Sequence, residues 1–185
     1  MYQKLEIFGT PKKSRNKLIK VIFLIERTLI LLKPDSVQRS IVGRVIQRFE
    51  DVGLKIVGMK MVWIDEDFAK KHYFDVAERH NETILNNLVK FITVGPVIAM
   101  VLEGLHSAEL VRKMVGKTEP RTAQPGTIRA DFAHHSYDLA DSKGIAIKNI
   151  IHASSKSEEA KYEIDLWFKP EELHTYKTVH DIHVL

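Results

Sequence analysis

Four short apolar runs set between segments of helical periodicity constrain this chain more than any other feature. Arg27 to Lys33 (RTLILLK) is rich in β-branched and aliphatic residues and is halted by Pro34-Asp35, the pattern of a strand buried on both faces. Leu54 to Trp63 reads as a second strand, Val97 to Leu102 (VIAMVL) as a third after the Gly95-Pro96 break, and Asn149 to Ala153 (NIIHA) as a fourth. Between the first two, Asp35 or Ser36 is a candidate N-cap for a helix carrying Ile41, Val45, Ile46, Phe49 and Val52 to a stop at Gly53. Asp65-Glu66-Asp67 places carboxylates at the positive end of a helix running through Phe68, His72 and Tyr73 towards His80, and another helix spans Glu82 to Phe91. Leu110, Val111 and Met114 share one face of a helix from Ser107 to Val115, ended by Gly116. Ser155 and Glu158 have capping-box spacing before a last helix that finishes ahead of Pro170. Strands alternating with helices predict an α/β domain, and periodicity leaves the strand order open.

Residues 117 to 148 are long, polar and rich in turn formers, which in a compact domain marks a working segment. The 185 residues suit one domain with its own core, and the absence of cysteine excludes both a disulfide framework and a thiolate metal site. The formal charge of +4 is concentrated at one end: residues 1–25 hold six cations against Glu6 alone, a net of +5, which leaves −1 for the remainder. Residues 1–26 therefore read as a basic N-terminal extension, and 27–185 as the domain. The apolar stretch Val21 to Ile25 is too short for a signal peptide's core, being cut off by Glu26 and Arg27, and no window reaches membrane-spanning length. A cytoplasmic protein without membrane attachment is expected, and the near-neutral domain has no need of a nucleic-acid partner.

Three candidate sites emerge from the residues alone. Gly116-Lys117-Thr118 resembles the tail of a phosphate-binding loop, but the first glycine of that motif would fall on Val111, and a helix precedes it where a strand is required. The pairs His134-His135 and His180-x-x-His183 lack a carboxylate at metal-site spacing. His152 sits in the middle of an apolar strand just before a helix. An imidazole there is commonly a packed core residue, so its surroundings must decide.

Four stretches in order, Thr28 to Arg39 (TLILLKPDSVQR), Gly95 to Gly104 (GPVIAMVLEG), Pro125 to Phe132 (PGTIRADF) and Asn149 to Ser154 (NIIHAS), resemble the nucleoside diphosphate kinases. The resemblance extends from residue 27 to about residue 175. It implies a ferredoxin-like βαββαβ fold, an α+β arrangement with a four-stranded antiparallel sheet covered by helices. It also implies a ping-pong enzyme that takes the γ-phosphoryl group of an NTP onto His152 and passes it to an NDP. A neutral imidazole suits that role without a strong base. By the same resemblance Glu163 and Ser154 orient the ring, while Lys33, Tyr73, Arg112, Thr118, Arg129 and Asn149 contact the nucleotide's phosphates and sugar. Magnesium would be held mainly by the nucleotide's phosphates. A homo-oligomer, hexamer or tetramer, is expected.

The chain departs from the family pattern at two places. Ile84 takes the usual aromatic base-stacking position, with Leu88 one turn on along the same helix face, so an aliphatic clamp replaces the ring. Residues 134–148 are longer than the family pattern and adjoin the nucleotide pocket. Ala153 and Ser155 also replace the usual glycine and aspartate. These departures motivate an alternative, a nucleotide-binding scaffold with weak turnover.

Overall fold

The computed structural model describes residues 24–183, so the basic extension, apart from its last residues, lies outside the described residues. Strands β1 (Ile25–Leu32), β2 (Lys55–Val62), β3 (Val97–Leu105) and β4 (Ile151–Ala153) form one sheet in the order β2-β3-β1-β4. Every neighbouring pair is antiparallel, with Leu31 opposite both Ala99 and His152. Ten α-helices accompany the described strands: α1 (Pro34–Gln38), α2 (Val42–Glu50), α3 (Glu66–His72), α4 (Val76–Arg79), α5 (Glu82–Ile92), α6 (Ser107–Val115), α7 (Ile128–Phe132), α8 (Tyr137–Lys143), α9 (Ser157–Trp167) and α10 (Val179–His183). The architecture is the ferredoxin-like α+β sandwich that the four motifs imply.

The two-residue period of β1 divides the core. Leu29 and Leu31 join Val57, Tyr73, Val89, Ile164 and Trp167 on the face covered by α3, α5 and α9. Ile30 and Leu32 join Val45, Phe49, Val111, Ile128 and Phe132 on the face covered by α2, α6 and α7. Leu29 to Leu32 have no solvent exposure, which is why this central strand reads as an unbroken apolar run.

Several expected elements are broken or shortened, each for a local reason. The helix foreseen after Pro34 is two helices, because Ser40 adopts a left-handed conformation (φ 56°) between α1 and α2. Asp35 and Ser36 do not cap it: Lys33 is the N-cap residue, and both side chains are diverted to Ile150. The Asp35 carboxylate accepts the Ile150 N–H at 3.1 Å, and the Ser36 hydroxyl donates to the Ile150 carbonyl. Ile150 itself is left-handed (φ 62°), an unfavourable conformation for a β-branched residue, so the chain turns there and β4 starts at Ile151 rather than Asn149.

The helix from Asp65 is likewise divided after His72, with α4 resuming at Val76. The capping box at Ser155 is not formed. Lys156 is the N-cap residue of α9, and the Ser155 N–H donates instead to the carboxylate of Glu159. Within the polar segment 117–148, Thr127 and Ser136 cap α7 and α8 by accepting from the N–H groups of Ala130 and Leu139.

Candidate active site

The short edge strand β4 aims its side chains alternately. Ile151 and Ala153 enter the core beneath α6 and α7, so His152 between them must project to the opposite face, where α9 lies. There Glu163 meets it: Oε1 lies 2.7 Å from His152 Nε2, and Oε2 accepts from the Ser154 hydroxyl at 2.5 Å. Ser154 is held in turn at the end of the sheet, its Oγ accepting the Leu29 N–H at 3.2 Å. An acceptor on Nε2 places the ring proton on that nitrogen, leaving Nδ1 with its lone pair.

The imidazole side chain is 21% exposed. Burial and then the Lys33 ammonium push its pKa down to about 3; Glu159 opposes them, and the guanidiniums of Arg129 and Arg112 lower it a little further. The ring is therefore neutral at physiological pH.

The cations come from three distant parts of the chain. Lys33 follows β1 directly, is buried, and donates from Nζ to Asn149 Oδ1 at 2.8 Å. Burial and then neighbouring Arg129 lower its pKa to about 8, partly offset by Asp35. Asn149 spends its amide N–H on the Thr118 carbonyl at 2.9 Å, joining Lys33 to the long polar segment.

Arg129 on α7 donates to the Gly116 carbonyl at 2.9 Å and to the Ile151 carbonyl at 2.7 Å, while its buried Nε has no partner. Burial and Arg112 lower its pKa to about 10. Arg112 on α6 donates to the Ala153 carbonyl at 3.4 Å. The two arginines thus cover backbone acceptors that a closed sheet would have paired, and they are brought to the strand that carries His152. Their crowding leaves a concentration of positive charge with no carboxylate of its own among these bonds, which is the environment a phosphate requires.

Tyr73 follows α3, buried, with its ring tilted against His72 at 4.7 Å between centroids; burial raises its hydroxyl pKa, and Glu163 adds to that. Ile84 is exposed at the first turn of α5, and Leu88 is partly seated in the core below it. These two belong to the helical side of the site rather than to the cluster around His152.

His72 was not anticipated as part of the site. Its ring stands edge to face with His152, 4.7 Å between centroids, and its Nδ1 accepts from Trp167 Nε1 at 3.3 Å. Burial, then His152, lowers its pKa to about 3. The clue in the sequence was its place beside Tyr73 on a helix end otherwise carrying lysines. Asp35 and Ser36 were also missed as site residues, since their role is to hold the Ile150 turn that delivers β4.

Among the described residues, the group of His, Asp and Glu side chains close enough to share an ion is His72, His152 and Glu163. Glu163 is committed on both oxygens within it. No described helix is long and apolar enough to cross a membrane.

Comparison with known proteins identifies the family. Residues 26–173 match the family model for nucleoside diphosphate kinase. The nucleoside diphosphate kinase of Borreliella burgdorferi is 49% identical over 156 residues, covering 83% of this chain and 93% of its own. The rat nucleoside diphosphate kinase A is 46% identical over 154 residues, covering 83% and 92%. A solved structure of the Borrelia burgdorferi enzyme, a transition-state mimic with bound vanadate and ADP, superimposes with a TM-score of 0.85 at 47% identity, covering 87% of this chain and 97% of that one. On motif, fold and relatives alike, this chain belongs to the nucleoside diphosphate kinase family.

Proposed function

We propose that the chain moves the γ-phosphoryl group of a nucleoside triphosphate to a nucleoside diphosphate through Nδ1 of His152. The observation that carries this reading is the engagement of Nε2 by Glu163 at 2.7 Å, which leaves a single unprotonated ring nitrogen beside three cationic side chains.

In the first half-reaction the Nδ1 lone pair forms a bond to the γ-phosphorus as the bond to the bridging oxygen breaks, its electron pair leaving with the diphosphate. No proton need move, because the attacking nitrogen is already free and the leaving phosphate is a weak base. In the second half-reaction a terminal oxygen of an incoming diphosphate attacks the same phosphorus, and the pair of the P–N bond returns to Nδ1. Glu163 holds the Nε2 proton in both states and stabilises the positive charge that attack develops on the ring.

Arg112 and Arg129 oppose charge on the transferring group and its neighbour, while Lys33, Thr118 and Asn149 hold the rest of the phosphate and the sugar. Tyr73, packed against His72, is assigned to the nucleotide by the family resemblance. Ile84 and Leu88 offer the base an aliphatic face, which supports broad base tolerance. The vanadate and ADP bound by the Borrelia burgdorferi enzyme support this assignment by analogy.

A magnesium ion fits this donor set only as a passenger of the nucleotide, since the surrounding side chains are cationic and Glu163 is engaged on both oxygens. When bound, it neutralises charge across the terminal phosphates.

Assembly into a homo-oligomer, a hexamer or a tetramer, is supported by Met59, Met61 and Trp63, exposed apolar residues on and just after the edge strand β2. Light scattering gives the mass directly. A cytoplasmic location accords with nucleotide substrates.

Incubation with γ-labelled ATP should give an acid-labile, alkali-stable label on the protein, absent from His152→Ala, with 31P resonance assigning it to Nδ1. Absence of label from the native chain that nevertheless binds ADP would favour the nucleotide-binding scaffold instead.

A further inference from the structure

Three donor groups converge where α3, α9 and β4 meet. One donor atom from each of His72, His152 and Glu163 falls within 4.8 Å of the other two. Glu163 Oε1 is common to both close contacts, 2.7 Å from His152 Nε2 and 3.6 Å from His72 Nδ1.

The first contact holds a proton, and the second does not. Trp167 Nε1 can only donate, so His72 Nδ1 accepts from it at 3.3 Å and His72 carries its own proton on Nε2. A ring lone pair and a carboxylate oxygen, two acceptors, therefore face each other at 3.6 Å with no hydrogen between them. That contact is repulsive, and a cation bonded to both atoms turns it into an attraction.

The donors also have the chemistry of a metal site. Two imidazoles and one carboxylate, with a fourth position open, are a donor set that zinc uses, and nitrogen donors favour zinc or copper over magnesium and calcium. A tetrahedral ion with bonds of about 2.1 Å holds its donors about 3.4 Å apart. The two distances to Glu163 Oε1 bracket that separation. Ser154 bonds the other carboxylate oxygen, so it can keep Glu163 in place. Both rings are neutral at physiological pH, so protons do not compete for their lone pairs. The His72 side chain is fully enclosed, and His152 is the member of the three that solvent reaches.

We propose that His72 Nδ1, His152 Nε2 and Glu163 Oε1 form an inhibitory site for a nitrogen-seeking divalent ion, Zn2+ by its ligand set. To bind, His152 must present a lone pair on Nε2, and the neutral ring then carries its proton on Nδ1. The proton changes nitrogen and none is released, but the atom that attacks phosphorus is blocked. The inhibition rests on the kinase reading above, whereas the binding of the ion does not. Arg112 and Arg129, bonded to the carbonyls of Ala153 and Ile151 on either side of His152, oppose the ion and hold its affinity in the micromolar range.

The test titrates the full chain, free of nucleotide, with ZnSO4 in a metal buffer. The chain has two tryptophans, and only Trp167 gives up its acceptor when the ion binds. Its indole N–H resonance should shift while that of Trp63 stays, and the ring proton of His152 should move from Nε2 to Nδ1. Labelling by γ-labelled ATP should fall at least about tenfold at saturating Zn2+ and return with a chelator. His72→Phe keeps a ring against His152 and removes the nitrogen donor, so Zn2+ affinity by calorimetry should drop at least about tenfold. Equal affinity in that variant, or Zn2+ binding that leaves the Trp167 and His152 resonances unmoved, would overturn the proposal and assign the ion to surface histidines. Should His72→Phe fail to fold, the resonances of the native chain decide alone. A native chain that binds Zn2+ in this way yet is never labelled by ATP keeps the metal site and loses the kinase reading.

Discussion

Replacing Glu163 by glutamine separates the orientation of the nucleophile from its electrostatic support. The buried carboxylate makes two contacts, 2.7 Å to His152 Nε2 and 2.5 Å to the Ser154 hydroxyl. Glutamine is nearly isosteric. Its amide oxygen can accept from Nε2 while its NH2 donates to Ser154 Oγ, which then turns its own proton to the Leu29 carbonyl, 3.3 Å away. Geometry and tautomer survive, but a charged acceptor becomes a neutral one. Charged hydrogen bonds contribute about 1.5–3 kcal/mol against about 0.5–1.5 for neutral ones. The loss of about 1–2 kcal/mol falls on the transition state, where the ring becomes cationic, so phosphorylation should slow by about 5- to 30-fold. Because Glu163 touches the ring and not the nucleotide, KM should hold. Quenched-flow measurement of labelled enzyme at saturating ATP isolates this step. A phosphorylation rate equal to that of the native chain would refute the claim that the carboxylate's charge assists the attack, and a change confined to KM would place Glu163 in the wrong role.

Other consequences follow from the same geometry. His72 and His152 each have a folded pKa near 3, below the 6.5 of the free side chain. The unfolded chain therefore binds more protons in that window, and stability is present above pH 6.5 and lost as pH falls towards 3. Denaturant titrations should lose about 1.4 kcal/mol per pH unit for each histidine, and His72→Asn should reduce the slope. Arg129→Lys keeps the charge but cannot serve both the Gly116 and Ile151 carbonyls in the same way, so kcat/KM should drop about 10- to 100-fold in a coupled assay. Asp35→Ala leaves the buried Ile150 N–H without its acceptor, which should lower stability by about 1–3 kcal/mol and cut activity through displacement of β4.

How legible the site was depended on whether a residue acts through its type or through its neighbours. Strands β1 and β3 were plain in sequence because central strands must be apolar on both faces, and α6 was plain because Leu110, Val111 and Met114 repeat at helical spacing before a glycine. His152 alone was ambiguous; only the surrounding motifs made it a candidate, since an imidazole in an apolar strand has the same pattern whether it reacts or merely packs. Asp35 and Ser36 were misjudged because local rules make them N-caps, whereas a partner far along the chain uses both. No propensity scale anticipates a left-handed isoleucine. It persists because those two side chains over-determine it, and its effect is to end the extended chain before β4 so that Asn149 faces Lys33 while His152 faces Glu163. The strain at Ile150 and the placement of His152 two residues later are thus one device: a backbone conformation that local preference disfavours is held by long-range contacts, and it sets the Lys33–Asn149 pair apart from the Glu163 side of the ring.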